Sequence, residues 1–297
     1  VRIAVLGNSG SWYCDDIARA AHEAGHQCSR LDFQRIAAEC GHLESVFLGV
    51  DDGFESAAVR LEEFDAVIVR TMPPGSLEQV VFRMDALARL EASGTVVINS
   101  PKSIECAVDK YLTTARLLER GLPIPPTAVS QDAETAQQSF ERLGGDVVVK
   151  PIFGAEGRGI CRVSDPDLAF RTFRTLERTG AVIYLQQFIR HPGYDVRVLI
   201  LDGRILGAMK RFGADDFRTN VARSAKTEIH ETDDAERRFS LEAVAAVGAR
   251  FAGVDLLYDD AGQCYVIEVN AVPGWRAFSR TTDIDVAELL VRSLDGS

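Results

Sequence analysis

The sequence contains no cysteine pair at redox or metal-ligand spacing. Its six cysteines, Cys14, Cys28, Cys40, Cys106, Cys161 and Cys264, are scattered with no C-x-x-C among them. That is a pattern of reduced thiols, not of a disulfide framework or a zinc site. No run of about 18 apolar residues occurs, so no membrane-spanning helix is expected. Base is scarce as well: 33 Lys and Arg stand against 44 Asp and Glu, a net charge of −11. An acidic chain repels a nucleic-acid backbone unless its basic groups are concentrated locally, so nucleic acid is not an expected partner. Much of the acidity falls within 44–63, which reads as solvated surface. The first apolar strand begins at Val1, so no signal peptide is expected and the reading is of a cytoplasmic protein. There is no internal repeat and no low-complexity segment.

What is present is a chain of 297 residues, long enough for two or three domains and a sizeable core. It opens with the apolar strand Arg2–Gly7, followed by a helical stretch from Asp15 to Gly25. Phe64–Arg70 and Thr95–Asn99 read as further buried strands, separated by a helix over Ser76–Ser93. Continuously apolar strands alternating with helices predict a parallel sheet covered on both faces. After Pro101 the pattern changes. A helix over Asp109–Arg120 stops at Gly121, and three prolines within 123–126 forbid its continuation. The strands 146–150 and 160–163 flank a glycine-rich loop. Asp202-Gly203 between two apolar strands is a strong hairpin signal. A second hairpin pairs Gly253–Tyr258 with Cys264–Asn270, after a helix over Asp233–Ala252 and before a closing helix over Asp285–Leu294. The expected division is a small α/β unit at 1–99, a second unit at 100–186 and a third at 187–297.

Four segments carry polar groups that a core would not choose. In Val266-Ile-Glu268-Val-Asn270 the side chains alternate, so Glu268 and Asn270 share a face. Asp255 lies on the partner strand, on the matching face if the register is symmetrical about the turn. Three hard oxygen donors suit Mg²⁺, and a solvent-facing strand edge is the equal alternative. Lys150 ends a buried strand ahead of Gly154, Gly157 and Gly159, whose backbone N–H groups can approach phosphate oxygens; a simple hairpin connection would look the same. It is neither a P-loop nor a dinucleotide-binding fingerprint. Gln187 and Phe188 sit at an exposed strand edge that could meet an adenine, and Asp195 and Arg197 follow as eligible ribose and phosphate partners. Last comes a polar loop with Arg218, Asn220 and Arg223, either an anion cradle or solvated surface.

The succession Lys110, Lys150, the 186–189 strand, Asp195, the Arg218 loop, Asp255 and Glu268-x-Asn270 resembles the ATP-grasp superfamily, and its RimK-like branch in particular. The closing phrase Glu268-Val-Asn270-Ala-Val-Pro273-Gly274, then Thr281-Thr-Asp-Ile-Asp-Val, is similar to that branch's C-terminal signature, and the likeness runs from Ser100 to Leu294. It implies an ATP-grasp fold, α/β and α+β, with an N-terminal Rossmann-like pre-ATP-grasp domain. It further implies an ADP-forming carboxylate–amine ligase working through an acylphosphate. By resemblance, Lys110, Lys150, Gly157 and Arg211 belong to the nucleotide site, with Gln187 and Phe188 at the adenine edge and Asp195 at the ribose. Arg218, Asn220 and Arg197 attend the transferred phosphate and the acyl group. Asp255, Glu268 and Asn270 hold two Mg²⁺ ions, with Mn²⁺ as an alternative. The hinge departs from the usual Gln-Glu-aromatic, reading Gln186-Gln187-Phe188. The Gly154–Gly159 loop is the expected lid over the acylphosphate.

Substrates are small acids and amino acids. The acceptor is expected between the first unit and the 273–276 loop, with Arg70, Trp275 and Arg276 as contacts and Trp12 beside them, local packing being the alternative for each. The preferred reaction adds glutamate to a cofactor precursor such as a tetrahydromethanopterin-type pterin. Addition to a protein C-terminus or small peptide is the alternative. From other classes come a non-catalytic ATP-binding module and an ATP-dependent carboxylase or kinase-like relative. A homo-oligomer is left open.

Overall fold

The computed structural model describes residues 1–8, 10–41, 45–50, 58–154, 159–213 and 226–295. The first unit runs β1 (Arg2–Gly7), α1 (Trp12–Glu23), β2 (Gln27–Asp32), β3 (Ala37–Cys40), β4 (Ser45–Val50), β5 (Ala58–Arg60), β6 (Ala66–Val69), α2 (Leu77–Ala92) and β7 (Val96–Ile98). Its main sheet is parallel, ordered β2-β1-β6-β7, and β1 and β6 are buried almost throughout, as their unbroken apolar runs require. Helix α1 starts three residues earlier than expected and buries Cys14, Ile17, Ala20 and Ala21, one helical face. Helix α2 begins in a capping box: the Ser76 hydroxyl accepts from the Gln79 N–H, and the Gln79 side chain accepts from the Ser76 N–H. β3, β4 and β5 form a separate antiparallel sheet. Part of 44–63, read as solvated surface, is therefore strand.

The chain continues through α3 (Pro101–Val108), α4 (Lys110–Glu119), β8 (Thr127–Ser130), α5 (Ala133–Arg142), β9 (Val147–Lys150), β10 (Cys161–Val163), α6 (Pro166–Arg178) and β11 (Ile183–Gln187). Helix α4 is the expected one, and α3 precedes it unexpectedly: the extended backbone of Asp109 ends α3 while its carboxylate accepts from the Leu112 N–H and caps α4. The second sheet is antiparallel, ordered β10-β9-β11-β8, with α5 and α6 packed on one face through Phe140 and Phe173.

The last segment comprises β12 (Tyr194–Leu201), β13 (Arg204–Phe212), β14 (Thr227–His230), α7 (Asp234–Val247), β15 (Phe251–Tyr258), β16 (Cys264–Asn270), α8 (Arg276–Thr282) and α9 (Val286–Arg292). Asp202 and Gly203 both take positive φ, 47° and 71°, the turn that matches the twist of the paired strands β12 and β13. Helix α7 stops at Gly248, in the left-handed conformation, so β15 begins at Phe251 where the sequence suggested helix. Helix α8 was not anticipated.

The first sheet is not independent of the last. One core joins Ile3, Val5, Ile17 and Ile68 to Leu199, Phe251, Trp275, Phe278, Val286 and Leu290. Asn99, 1% exposed, ties the two together: its Oδ1 accepts from the Arg250 and Phe251 N–H groups, and its Nδ2 donates to the Phe251 and Ala271 carbonyls. A buried amide with all these bonds made fixes the end of β7 against both strands of the last hairpin.

Candidate active site

The β15–β16 hairpin holds its polar groups by an irregularity in register. Tyr258 pairs with Cys264, Leu257 with Tyr265 and Leu256 with Val266; past Ile267 the register slips, and Asp255 pairs with Glu268 and Gly253 with Asn270. Ile267 is the extra residue. Without it Asp255 would oppose Ile267, and Glu268 would point to the other face. With it, Asp255, Glu268 and Asn270 share the face opposite Val254, Leu256, Val266 and Val269, which pack against α7.

Asp255 is 3% exposed. Arg197 lies directly across β12 and donates from Nε to Oδ1 and from Nη2 to Oδ2, both at 2.7 Å; Arg211 Nη2 adds a contact to Oδ2 at 3.0 Å. Burial alone would raise the Asp255 carboxyl, but the two guanidinium groups outweigh it and hold it below the usual carboxylate range. Arg211 in turn grips Asp195 at 2.7 and 2.6 Å. The result is a buried chain, Asp195–Arg211–Asp255–Arg197. Asp195, expected at a ribose, is 5% exposed with both oxygens engaged by Arg211.

Two lysines lie close enough to feel the charge of Glu268. Lys150, ending β9, donates to Gln186 Oε1 at 2.7 Å, and Lys110, opening α4, donates to the Gly154 carbonyl at 2.8 Å. Burial pulls the Lys150 ammonium down to about 8, with Lys110 adding repulsion and the Glu268 and Asp255 charges opposing the shift. Burial likewise lowers Lys110, opposed by Glu268 and Asp109. Both ammonium groups therefore lie within the field of Glu268, which has no ion pair among the described residues. Asn270 is half-buried, and its amide nitrogen has no partner among the described residues.

The exposed edge expected at Gln187 and Phe188 is absent, because β11 lies between β9 and β8: the Gln187 N–H donates to the Pro126 carbonyl and the Phe188 N–H to that of Asp146, so neither is available to an adenine. The next N–H, Ile189, has no partner among the described residues. Arg162, bonded to Asp146 at 2.8 and 2.6 Å, covers the Phe188 ring at 3.6 Å. The proposed substrate residues separate. Trp275 is fully buried, donating from Nε1 to Asp16 at 2.8 Å and packing edge-on against Tyr13 and Phe251. It is core and offers no face to a ligand, which corrects the expectation. Arg276 is exposed and lies over Trp12, and Arg70 is buried against Trp275. Gly157, Arg218, Asn220 and Arg223 lie outside the described residues. Sequence reading missed Gln186 and Tyr13. A glutamine inside the apolar strand Tyr184–Leu185, beside a strand-ending lysine, was the available signal for the first.

Residues 107–294 match the RimK-like ATP-grasp domain, well over half of the chain. The chain belongs to the RimK-like ATP-grasp family. Residues 16–105 match the N-terminal domain of prokaryotic glutathione synthetase. A protein of Methanosarcina acetivorans named tetrahydromethanopterin:alpha-L-glutamate ligase is 31% identical over 270 residues, covering 81% of this chain and 83% of that protein. A probable alpha-L-glutamate ligase of Haemophilus influenzae is 28% identical, covering 94% and 91%. Among solved structures, the ATP-grasp ligase PsnB complexed with minimal precursor, Mg and ADP superposes with a TM-score of 0.75 at 23% identity, over 99% of this chain and 96% of that one. This likeness shows the shared fold. The RimK-like chain is thus an enzyme that forms a carbon–nitrogen bond, from a family that uses ATP and Mg²⁺. Among the described residues no helix is long and apolar enough to cross a membrane.

Proposed function

We propose that this ligase joins L-glutamate, through its amine, to the carboxylate of a small cofactor precursor of the tetrahydromethanopterin type. The observation that carries the reading is the 31% identity, over most of both chains, to the Methanosarcina ligase. The division of labour is 1–99 for the pre-ATP-grasp unit, 100–186 for the unit bearing Lys150, and 187–297 for the unit bearing the carboxylates.

The donors on the β15–β16 face fit Mg²⁺. They are hard oxygens, and Asp255 Oδ1 retains a lone pair beyond its bond to Arg197. Asp255, Glu268 and Asn270 would hold two such ions. Bound there, the metal neutralises phosphate charge that otherwise repels an attacking carboxylate. Lys110 and Lys150 supply cations to the phosphates, and burial keeps the Lys150 ammonium at about 8 until an anion joins it. The unengaged Ile189 N–H and the Gln187 side chain form the adenine edge. Arg197 stands beside the metal donors to receive the acyl oxygen, and Arg218 and Asn220 are assigned to the same task by the order of the sequence. The carboxylate oxygen attacks the γ-phosphorus and ADP leaves; the amine then attacks the acyl carbon and phosphate leaves. An amine arriving neutral needs little help from a base.

The test is ADP release with ATP, Mg²⁺, L-glutamate and a panel of acids that includes pterin-type precursors, short peptides and simple acids. Release that requires both L-glutamate and a pterin-type acid supports the proposal. Release without any acid, or only with peptides, contradicts it.

A further inference from the structure

One buried cation takes no part in the chemistry above. Arg70 follows β6 and is 7% exposed. Its Nη2 donates to the Pro273 carbonyl at 2.9 Å, and its guanidinium lies 4.3 Å from the Trp275 ring centroid and 5.0 Å from that of Tyr13. Its Nε is buried without a partner among the described residues. No carboxylate pairs with it among the described residues, whereas Arg197 and Arg211 are each matched. Burial lowers it to about 10, so it stays charged at neutral pH. A desolvated charge without a counterion is costly, and a stacked, unmatched guanidinium is preorganised for an anion.

Its place in the fold points the same way. From β1 the chain moves to β2 on one side and later to β6 and β7 on the other, so the carboxyl ends of β1 and β6 open at the switch point where open α/β sheets take ligands. Arg70 stands at that opening. The Tyr13 hydroxyl, which bonds no described residue, approaches the same loop so closely that a Cβ on Gly274 would lie 2.6 Å from it. The loop also links this point to the proposed reaction centre, since a Cβ on Gly253 would meet Pro273 Cβ at 3.2 Å and Arg197 Nε at 3.6 Å.

We propose that Arg70 and the Tyr13 hydroxyl receive a carboxylate of the amine substrate, one that takes no part in bond formation. The proposal rests on the reading of an acidic amino acid as the amine. The planar fork of a guanidinium matches a carboxylate, and a single cation balances its single charge, which a phosphate dianion would exceed. The cations nearer Glu268 are committed to phosphate and acyl oxygens in that reading. The carboxylates of an acidic amino acid need another, and Arg70 bonds Pro273, which packs over Gly253 beside Arg197.

Both tryptophans of the chain belong to this cluster, Trp12 packing edge-on against Tyr13 and Trp275 lying under the Arg70 guanidinium, so their emission reports on it directly. The experiment titrates the full chain, with ADP and Mg²⁺ present, with L-glutamate, glutarate and the uncharged glutaramide. The expected result is a saturable change with glutarate and L-glutamate and none with glutaramide. Arg70→Met weakens glutarate binding at least about tenfold, Arg70→Lys recovers part of it, and ADP affinity by calorimetry stays unchanged. Tyr13→Phe keeps the ring and weakens glutarate by roughly threefold to tenfold; it decides the matter if Arg70→Met does not fold. Equal glutarate affinity in these variants, or no saturable response in the parent chain, overturns the proposal. Arg70-dependent glutarate binding in a chain that ligates no glutamate would leave this inference standing and reject the glutamate reaction alone.

Discussion

The Arg197 guanidinium lies alongside the Asp255 carboxylate and bonds both of its oxygens at 2.7 Å, while Glu268, directly opposite Asp255 on the next strand, has no ion pair among the described residues. Two acids of one proposed metal site therefore differ in structural role. Asp255→Asn leaves Arg197 buried with a neutral partner, while Arg211 keeps Asp195, and should destabilise the fold by roughly 3 kcal/mol as well as abolish ligation. Glu268→Gln should lower ligation by about 10²-fold or more with little change in stability. Urea unfolding of the two variants, beside ADP release, separates them; equal stability losses would contradict the assignment.

Lys150 should make nucleotide binding depend on pH. Its folded value, about 8, lies below the ordinary 10.5. Between those values the unfolded chain holds a proton that the folded chain has released, so this group's contribution to stability rises as pH rises across that window. ATP affinity moves oppositely, because phosphate favours the ammonium form. The Kd for ATP should rise by up to about tenfold per pH unit above pH 8, and Lys150→Met should flatten the profile. Calorimetric titrations from about pH 7 to about pH 9 check it. A parent chain with a flat profile would show that this lysine does not meet the phosphates.

Gly7 closes β1 where a Cβ would collide with Cys14 Sγ. Gly7→Ala should cost about 1–3 kcal/mol, the scale of overpacking in a core. Adding Cys14→Ala removes the colliding sulfur and should return much of that loss. A double-mutant cycle by urea unfolding measures the coupling, and simple additivity would refute it.

The parallel sheet was legible because β1 and β6 are unbroken apolar runs, and the β12–β13 turn because Asp202-Gly203 permits two positive φ angles. The order of Lys110, Lys150, Asp255 and Glu268 was legible as a pattern, but the means of bringing them together was not. Nothing in Val266-Ile267-Glu268 announces the extra residue at Ile267, although that residue decides whether Glu268 faces Asp255. Side-chain commitments were hidden for a similar reason. Trp275 in a Pro-Gly loop reads alike whether it packs inward or outward, and only the shared core of Phe251, Tyr13 and Trp275 settles it inward. Asp195 looked free in sequence because its partner, Arg211, comes from the neighbouring strand.

The fate of the carboxylate oxygen tests the ligase chemistry most directly. With an acid substrate labelled with oxygen-18, attack on the γ-phosphorus leaves one labelled oxygen on the phosphate when the amine expels it. Ligation through an acylphosphate predicts ADP as the nucleotide product and one label in inorganic phosphate for each bond formed. AMP carrying the label, with pyrophosphate released, would contradict it and with it the roles proposed for Lys150, Glu268 and Arg197.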